Sequence, residues 1–154
     1  MEKIASFQVN HDVLKPGMYV SRIDGDVVTY DIRMKIPNEG NYLSNAAMHT
    51  IEHLFATYVR NTPLADQVVY VGPMGCRTGF YLLLRDTVDR QTALALVREA
   101  FYFIARYEGE IPGAQSSAEC GNYKEHDLAD ATAEAALMVF KLSVWSAEAM
   151  EYEQ

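Results

Sequence analysis

The chain has 154 residues, of which 49% are hydrophobic and 22% charged, a balance typical of one globular domain. Its net charge is −8 and its lysines and arginines do not cluster, so binding to nucleic acid or to an anionic membrane is not expected. No apolar run approaches the roughly 18 residues of a membrane span, and the N-terminus lacks the apolar core of a signal peptide. We therefore expect a single cytoplasmic domain over residues 1–154, in which Cys76 and Cys120 are thiols or metal ligands rather than a disulfide.

Alternating polar and apolar residues in the first third of the chain predict strands. Phe7 and Val9 indicate a short first strand. Residues 17–23 and 27–36 flank Asp24-Gly25, a dipeptide typical of hairpin turns. Two further strands are predicted over residues 67–71 and 79–84, with a glycine-bounded loop between them.

Three helices are predicted between and after these strands. They span residues 45–60, 87–107 and 128 to about 145. Ser44 or Asn45 caps the first helix, Gly109 ends the second, and Asp127 caps the third. The order of strands, helix, strands, helix, loop and helix favours an α+β fold, with an antiparallel β-sheet and helices packed on it.

The first predicted helix carries two opposed stripes. One is polar and contains His49, Glu52, His53 and Arg60. The other is apolar and must pack on the core; it contains Ala47, Met48, Ile51, Leu54, Phe55, Tyr58 and Val59. A solvent-facing stripe would more often carry lysine, glutamate and glutamine than two imidazoles.

His49 and His53 lie one turn apart and can bind a single metal ion from one helix face. The order His-x-x-Glu-His is that of the inverted zincins, in which the glutamate can reach a metal-bound water or the substrate. The alternative is two histidines at chance spacing. A catalytic site of this type needs a third protein ligand, and the spacing leaves several candidates open, namely Cys120, His126, His11 and Cys76.

Cys76 lies in the loop Gly72-Pro-Met-Gly-Cys-Arg-Thr-Gly79, whose glycines leave the backbone room for a ligand. Arg77 is adjacent in sequence, and a nearby cation favours the thiolate, which can act as a general base or nucleophile. The apolar neighbours Pro73 and Met74 favour the alternative of a buried structural cysteine.

The combination of these stretches resembles the LuxS family, the S-ribosylhomocysteine lyases. The segments that carry the resemblance run in family order from residue 6 to about 128: Ser6-Phe7 with His11, Asp31-Ile-Arg33 with Pro37-Asn38, His49-Thr-Ile-Glu-His-Leu-Phe55, Pro73-Met-Gly-Cys-Arg-Thr-Gly-Phe-Tyr81, and Cys120-Gly121 with His126-Asp-Leu128. His-x-x-Glu-His alone is a weak signal, whereas its combination with the cysteine loop and the later Cys-Gly is specific.

The resemblance implies a small single-domain fold in a homodimer, with two active sites at the subunit interface. It implies one divalent metal ion per subunit, Fe(II) replaceable by zinc or cobalt, on His49, His53 and Cys120. Glu52 and Cys76 match the acid/base pair of the family. Positions associated with substrate binding are matched by Ser6, His11, Arg33 and Arg60.

The reaction implied is cleavage of S-ribosylhomocysteine to homocysteine and 4,5-dihydroxy-2,3-pentanedione, the precursor of autoinducer-2. A thioether leaves readily only when a carbonyl lies β to it, so the sugar carbonyl must migrate from C1 to C3 before elimination. A metal ion and at least one mobile base suit this chemistry, and no nucleotide or redox cofactor is required.

Two positions depart from the commoner family pattern. Tyr70 stands where an acidic residue often precedes the cysteine loop, and Lys35 stands where a cysteine often follows the segment Asp-Ile-Arg-x. The first departure leaves open how the substrate ammonium is bound. Two alternative functions remain, a small inverted-zincin-type metallohydrolase and a non-catalytic LuxS-like binding protein.

Overall fold

The structure is a computed structural model that describes residues 1–153. Within these residues, four strands form one antiparallel sheet in the order β1-β2-β4-β3. The strands are β1 (Gly17–Asp24), β2 (Val27–Arg33), β3 (Val68–Pro73) and β4 (Gly79–Arg85). The sheet, with helices packed on it, confirms the α+β fold class.

The first hairpin forms where it is predicted, because Gly25 adopts a positive φ of 59° in its turn. The prediction that β2 continues to Ile36 is wrong, since the strand ends at Arg33. Beyond that point the backbone N–H groups of Met34 and Lys35 both donate to the carbonyl of Thr78, at 2.8 and 3.0 Å. A single shared acceptor ends the ladder and turns the chain away from the sheet.

The N-terminal segment contains a short helix, α1 (Ala5–Gln8), so the strand predicted around Phe7 and Val9 is wrong. The N–H of Phe7 donates to the carbonyl of Ile4 at 3.0 Å, and the Phe7 side chain is exposed. A run this short lacks the buried face that would hold an alternating pattern in a sheet.

Three longer helices follow the predicted order: α2 (Asn45–Val59), α3 (Arg90–Ala105) and α4 (Leu128–Ser143). Ser44 and Asp127 cap α2 and α4 as expected, each accepting a backbone N–H in the first turn. α3 begins three residues later than predicted because the carboxylate of Asp89 accepts the N–H of Thr92 at 2.7 Å and acts as its N-cap. None of the helices in residues 1–153 is long and apolar enough to cross a membrane.

The core lies between the helices and one face of the sheet. Phe55 of α2 packs against Phe101 of α3 and Phe80 of β4, with ring centroids 5.2 and 6.3 Å apart. The apolar stripe of α2 is buried here, which turns its polar stripe away from the core. The other face of the sheet carries Asp31 and Arg33, whose neighbours on β2 point into the core.

Candidate active site

Helix α2 presents the two predicted histidines outside the core. His49, Glu52 and His53 are half-buried, whereas the apolar residues of the opposite stripe are largely buried. The imidazole rings of His49 and His53 are nearly perpendicular, at 88°, with centroids 4.6 Å apart. One turn of helix therefore brings both rings to one place, as the i, i+4 spacing predicts.

Backbone carbonyls fix how both rings are oriented. The Nδ1–H of His49 donates to the carbonyl of Glu125 at 2.8 Å, and that of His53 donates to the carbonyl of Pro112 at 2.7 Å. A carbonyl can only accept, so each Nδ1 carries the proton and each Nε2 keeps a free lone pair. This arrangement of a donating Nδ1 and a free Nε2 is the one found in metal-binding histidines.

Cys120 lies beside His49 on the irregular segment between α3 and α4. Its sulfur is 3.4 Å from the Nε2 of His49 and accepts the N–H of Asn122 at 3.4 Å. A thiolate and an imidazole on one tetrahedral ion, with bonds of about 2.3 and 2.0 Å, would lie about 3.5 Å apart. The pair thus has the spacing of two ligands of one metal.

His126 is a third imidazole of this cluster. Its ring stacks on that of His49, with centroids 4.1 Å apart. The hydroxyl of Thr50 donates to the carbonyl of Ala46, so it can only accept from the Nδ1–H of His126, at 3.0 Å. The Nε2 of His126 is buried and has no hydrogen-bond partner within residues 1–153.

One nitrogen from each of His49, His53 and His126 lies within 4.8 Å of the others. Burial, and next repulsion from the positive charge that His49 and His53 carry when protonated, lowers the pKa of His126 to about 4, which keeps this imidazole neutral near pH 7. Three imidazoles and one thiol form a nitrogen and sulfur donor set that suits zinc, cobalt or ferrous iron. These residues therefore fit a metal ion, and the unpartnered Nε2 is the atom that such an ion would satisfy.

Cys76 lies in the turn between β3 and β4 and is exposed, which argues against a buried structural cysteine. Cys76 and Cys120 do not form a disulfide with each other, as predicted. The sulfur of Cys76 is 3.0 Å from the hydroxyl of Thr78 and 4.0 Å from Nη1 of Arg33.

The cation beside Cys76 is thus Arg33 and not its sequence neighbour Arg77. The guanidinium of Arg77 donates to the carbonyl of Leu43 at 3.3 Å and lies over the ring of Tyr42. Its positive φ of 61° belongs to the tight turn after the cysteine. Arg33 is 43 residues away in sequence, and the pairing of β2 with β4 is what brings it to the loop.

The chain is similar in sequence to known proteins of one family. The family model of S-ribosylhomocysteinase (LuxS) matches residues 4–149. The chain belongs to the S-ribosylhomocysteinase family. It is 54% identical over 133 residues to the S-ribosylhomocysteine lyase of Clostridium acetobutylicum, covering 83% of this chain and 84% of the relative. It is 51% identical over 140 residues to that of Porphyromonas gingivalis W83, covering 88% of this chain and 87% of the relative.

The residues that resemble LuxS substrate-binding positions have varied surroundings. Ser6 is half-buried on α1, and Nδ1 of His11 is 2.9 Å from the carbonyl of Val9. Arg60 follows the last residue of α2, and its guanidinium donates to the carbonyls of Val68 and Val69 on β3, at 3.4 and 3.2 Å. Their roles stay predictions.

The two departures from the LuxS pattern have distinct structural surroundings. Tyr70 of β3 is 54% exposed, and its ring lies across Gly72, where an added Cβ would be 2.5 Å from a ring carbon. Lys35 is buried, and its ammonium forms an ion pair with Glu134 of α4 at 2.6 Å. Lys35 therefore links the end of β2 to the last helix.

The spacing in the sequence leaves His126 open as a third ligand, whereas the LuxS resemblance implies Cys120 and gives the His126 imidazole no role. Neither Thr50 nor Thr78 has a role predicted from the sequence. The signal for Thr50 is its place one residue after His49, on the helix that also carries His53. Thr78 carries no sequence signal of its own, because its contact with Arg33 depends on the pairing of β2 and β4.

Proposed function

We propose that this protein cleaves S-ribosylhomocysteine to homocysteine and 4,5-dihydroxy-2,3-pentanedione, by migration of the sugar carbonyl followed by β-elimination. The observation that carries the proposal is that His49 lies beside both His53 and Cys120, with both histidine Nδ1–H groups held by backbone carbonyls, in a chain of the S-ribosylhomocysteinase family. The names of relatives about 50% identical to this chain support the same reaction.

His49, His53 and Cys120 would hold one divalent metal ion per subunit, Fe(II) replaceable by zinc or cobalt. When bound, such an ion supplies Lewis-acid polarisation of the sugar oxygens. The protein's own share is to fix both Nε2 lone pairs through Glu125 and Pro112, and to keep a neutral imidazole, His126, beside them. The position of His126 also supports it as a further ligand, and metal release by His126→Ala tests this.

Glu52 and Cys76 would move the protons. Carbonyl migration removes a proton from one sugar carbon and returns one to its neighbour, so a base that can also release its proton is required. The exposed Cys76 sulfur can accept a carbon-bound proton as thiolate and give it back as thiol. Glu52 lies on the polar stripe between the two histidines of α2, where its carboxylate can serve the substrate oxygens.

The Cys76 thiolate has two stabilising neighbours. The Arg33 guanidinium is 4.0 Å away, and the Thr78 hydroxyl, at 3.0 Å, can donate to the sulfur. Arg33 would thus serve the reaction through the thiolate as well as through substrate contact.

Ser6, His11, Arg33 and Arg60 would bind the substrate, with Arg60 pairing with the homocysteine carboxylate. Tyr70 leaves the substrate ammonium without an acidic partner at that position, so backbone carbonyls or another carboxylate would bind it.

We further propose a homodimer with active sites at the subunit interface, acting in the cytoplasm, where two free thiols stay reduced. The diketone product would be the precursor of autoinducer-2, and the homocysteine would return to the methyl cycle.

The test is product analysis with purified, metal-loaded protein and S-ribosylhomocysteine. A thiol reagent should report one homocysteine per substrate consumed, and trapping of the diketone should report the other product. Peptide or amide cleavage without thiol release would indicate a metallohydrolase, and bound metal without turnover would indicate a binding protein. Either result would overturn the proposed function.

The ligand set is tested separately in the cobalt form. Thiolate coordination gives a sulfur-to-metal charge-transfer band that imidazoles do not give. Cys120→Ser should abolish that band, whereas Cys76→Ala should leave it unchanged. If Cys120→Ser keeps the band, or if only His126→Ala releases the metal, the third ligand is not Cys120.

A further inference from the structure

The C-terminal segment after α4 runs along the first strand of the sheet. The N–H of Val20 donates to the carbonyl of Met150 at 2.8 Å, and the ring of Tyr152 stacks on that of Tyr19 with centroids 5.1 Å apart and a 20° angle. The match to the family model ends at residue 149, so Tyr152 lies outside it. Nothing in the family resemblance therefore gives Tyr152 a role.

Tyr152 contacts a buried ion pair on the face of the sheet opposite the helices. Its hydroxyl donates to Oδ2 of Asp31 at 2.7 Å. Asp31 in turn accepts two bonds from the guanidinium of Arg33, from Nε at 3.1 Å and Nη2 at 2.6 Å. Asp31 and Arg33 are 0% and 3% exposed, so water does not compete for these bonds.

The third nitrogen of Arg33 points to the cysteine loop. Nη1 donates to the hydroxyl of Thr78 at 2.8 Å and lies 4.0 Å from the Cys76 sulfur. Because the Thr78 oxygen accepts from Arg33, its own hydrogen is free to donate to that sulfur at 3.0 Å. An unbroken chain of contacts thus connects Tyr152 to Cys76 through Asp31, Arg33 and Thr78.

Three phenols and the Arg33 guanidinium around this chain of contacts keep their protons near neutral pH. Burial, and next the charge of Asp31, raises the pKa of Tyr19 on β1, Tyr81 on β4 and Tyr152, so these phenols stay protonated. Burial opposes the charge on Arg33, but the hydrogen bonds and charge of Asp31 outweigh it and raise the pKa of Arg33. Glu153 adds one further negative charge near Tyr19.

We propose that Tyr152 is a positioning residue for Cys76. The hydrogen bond from its hydroxyl partly screens the negative charge of Asp31. It also holds that carboxylate in the orientation that accepts from two nitrogens of Arg33, which leaves the third nitrogen for Thr78 and Cys76. Without the hydroxyl, the Asp31 charge offsets more of the Arg33 charge felt at the sulfur, and the guanidinium is less firmly held. The inference rests on the proposed function, in which Cys76 moves protons.

The test is Tyr152→Phe in the full chain with its metal bound, because this change removes one oxygen and keeps the ring stack. The rate of alkylation of Cys76 by iodoacetamide is followed by peptide mass spectrometry from pH 6 to 10, together with kcat, KM and the melting temperature. Tyr19→Phe is the matched control, since the Tyr19 hydroxyl donates to the Lys15 carbonyl at 2.7 Å and not to Asp31.

Tyr152→Phe should slow alkylation of Cys76 at neutral pH by about three- to tenfold and move the midpoint of the pH profile upward. kcat should fall by a similar factor, with KM little changed, and Tyr19→Phe should alter neither the profile nor kcat. Unchanged alkylation in Tyr152→Phe, or an equal change in Tyr19→Phe, would overturn the inference. Alkylation is read without substrate, so a wild-type protein that releases no homocysteine would overturn the proposed function alone.

Discussion

Two side chains, Cys76 and Glu52, are assigned the proton transfers of the reaction. Cys76→Ala and Glu52→Gln should each keep the fold and the metal, because neither residue is among the proposed ligands. Each should lower kcat by about 10²–10⁴-fold, the usual contribution of a general acid or base. Steady-state thiol release, with metal content measured on the same samples, checks both. Near-normal turnover by either variant would remove that residue from the mechanism.

Arg60 lies on the same helix stripe as His49 and His53, and its guanidinium donates to two carbonyls of β3. If it also binds the homocysteine carboxylate, Arg60→Ala should raise KM far more than it lowers the melting temperature, because hydrogen bonds that are at most partly buried contribute little net stability. Arg60→Lys keeps the positive charge but loses the planar guanidinium, so its KM should lie between those of the wild type and Arg60→Ala. A lower melting temperature with unchanged KM would show that the Arg60 side chain only links the end of α2 to β3.

At the residue scale, the sequence predicts which side chains share one helix face but does not reveal the contacts made across strands. His49, Glu52 and His53 follow from helix periodicity alone. The thiol's cation was wrongly sought in Arg77, because adjacency in sequence is a poor guide in a tight turn where side chains diverge. Arg33 reaches Cys76 only through the register of β2 and β4, which the sequence does not display.

At the scale of elements, the predicted helices and strands that have a buried face are present, with ends shifted by up to three residues. The ends move where a specific bond decides them, as with the Asp89 cap of α3 and the shared Thr78 carbonyl beyond β2. The prediction of an N-terminal strand is wrong because two alternating apolar residues do not outweigh the local hydrogen bonds of a short helix. Local periodicity therefore predicts the elements, and individual hydrogen bonds determine their limits.

The Asp89 cap gives a pH prediction for α3. Its bonds to the backbone and side chain of Thr92 hold the pKa of Asp89 below its ordinary value. A carboxyl whose pKa is lower in the folded state stabilises the fold above its unfolded pKa, and that contribution is lost as pH falls through the folded pKa. Asp89→Ala should thus lower the free energy of unfolding at pH 7, and by less at pH 3.

Asp89→Asn is the control for that experiment, because asparagine caps a helix without titrating. Its free energy of unfolding should stay near that of the wild type at pH 7. As pH falls below 4, the free energy of unfolding of the wild type should then decrease relative to that of Asp89→Asn, because only the wild-type cap titrates. Equal stability of wild type and Asp89→Ala at pH 7 would show that the cap does not stabilise α3.

At the scale of the whole molecule, one layer of helices packs on one face of the sheet, and the two candidate centres lie at different places around it. The candidate metal site combines the polar stripe of α2 with the irregular segment that carries Cys120 and His126. The cysteine loop joins β3 to β4 and takes its cation from β2. Only the family resemblance predicts from the sequence that residues 49 and 120 belong to one site, because no helix or strand periodicity relates two positions so far apart in the chain.

Dependence of turnover on bound metal tests the account most directly. Thiol release from S-ribosylhomocysteine is measured on protein stripped of metal under anaerobic conditions and then titrated with Fe(II) or cobalt, with His53→Ala treated in parallel. Activity should rise in proportion to bound metal and level off at one ion per chain, and His53→Ala should retain neither metal nor turnover. Full turnover by the metal-free protein, or by His53→Ala, would contradict the account.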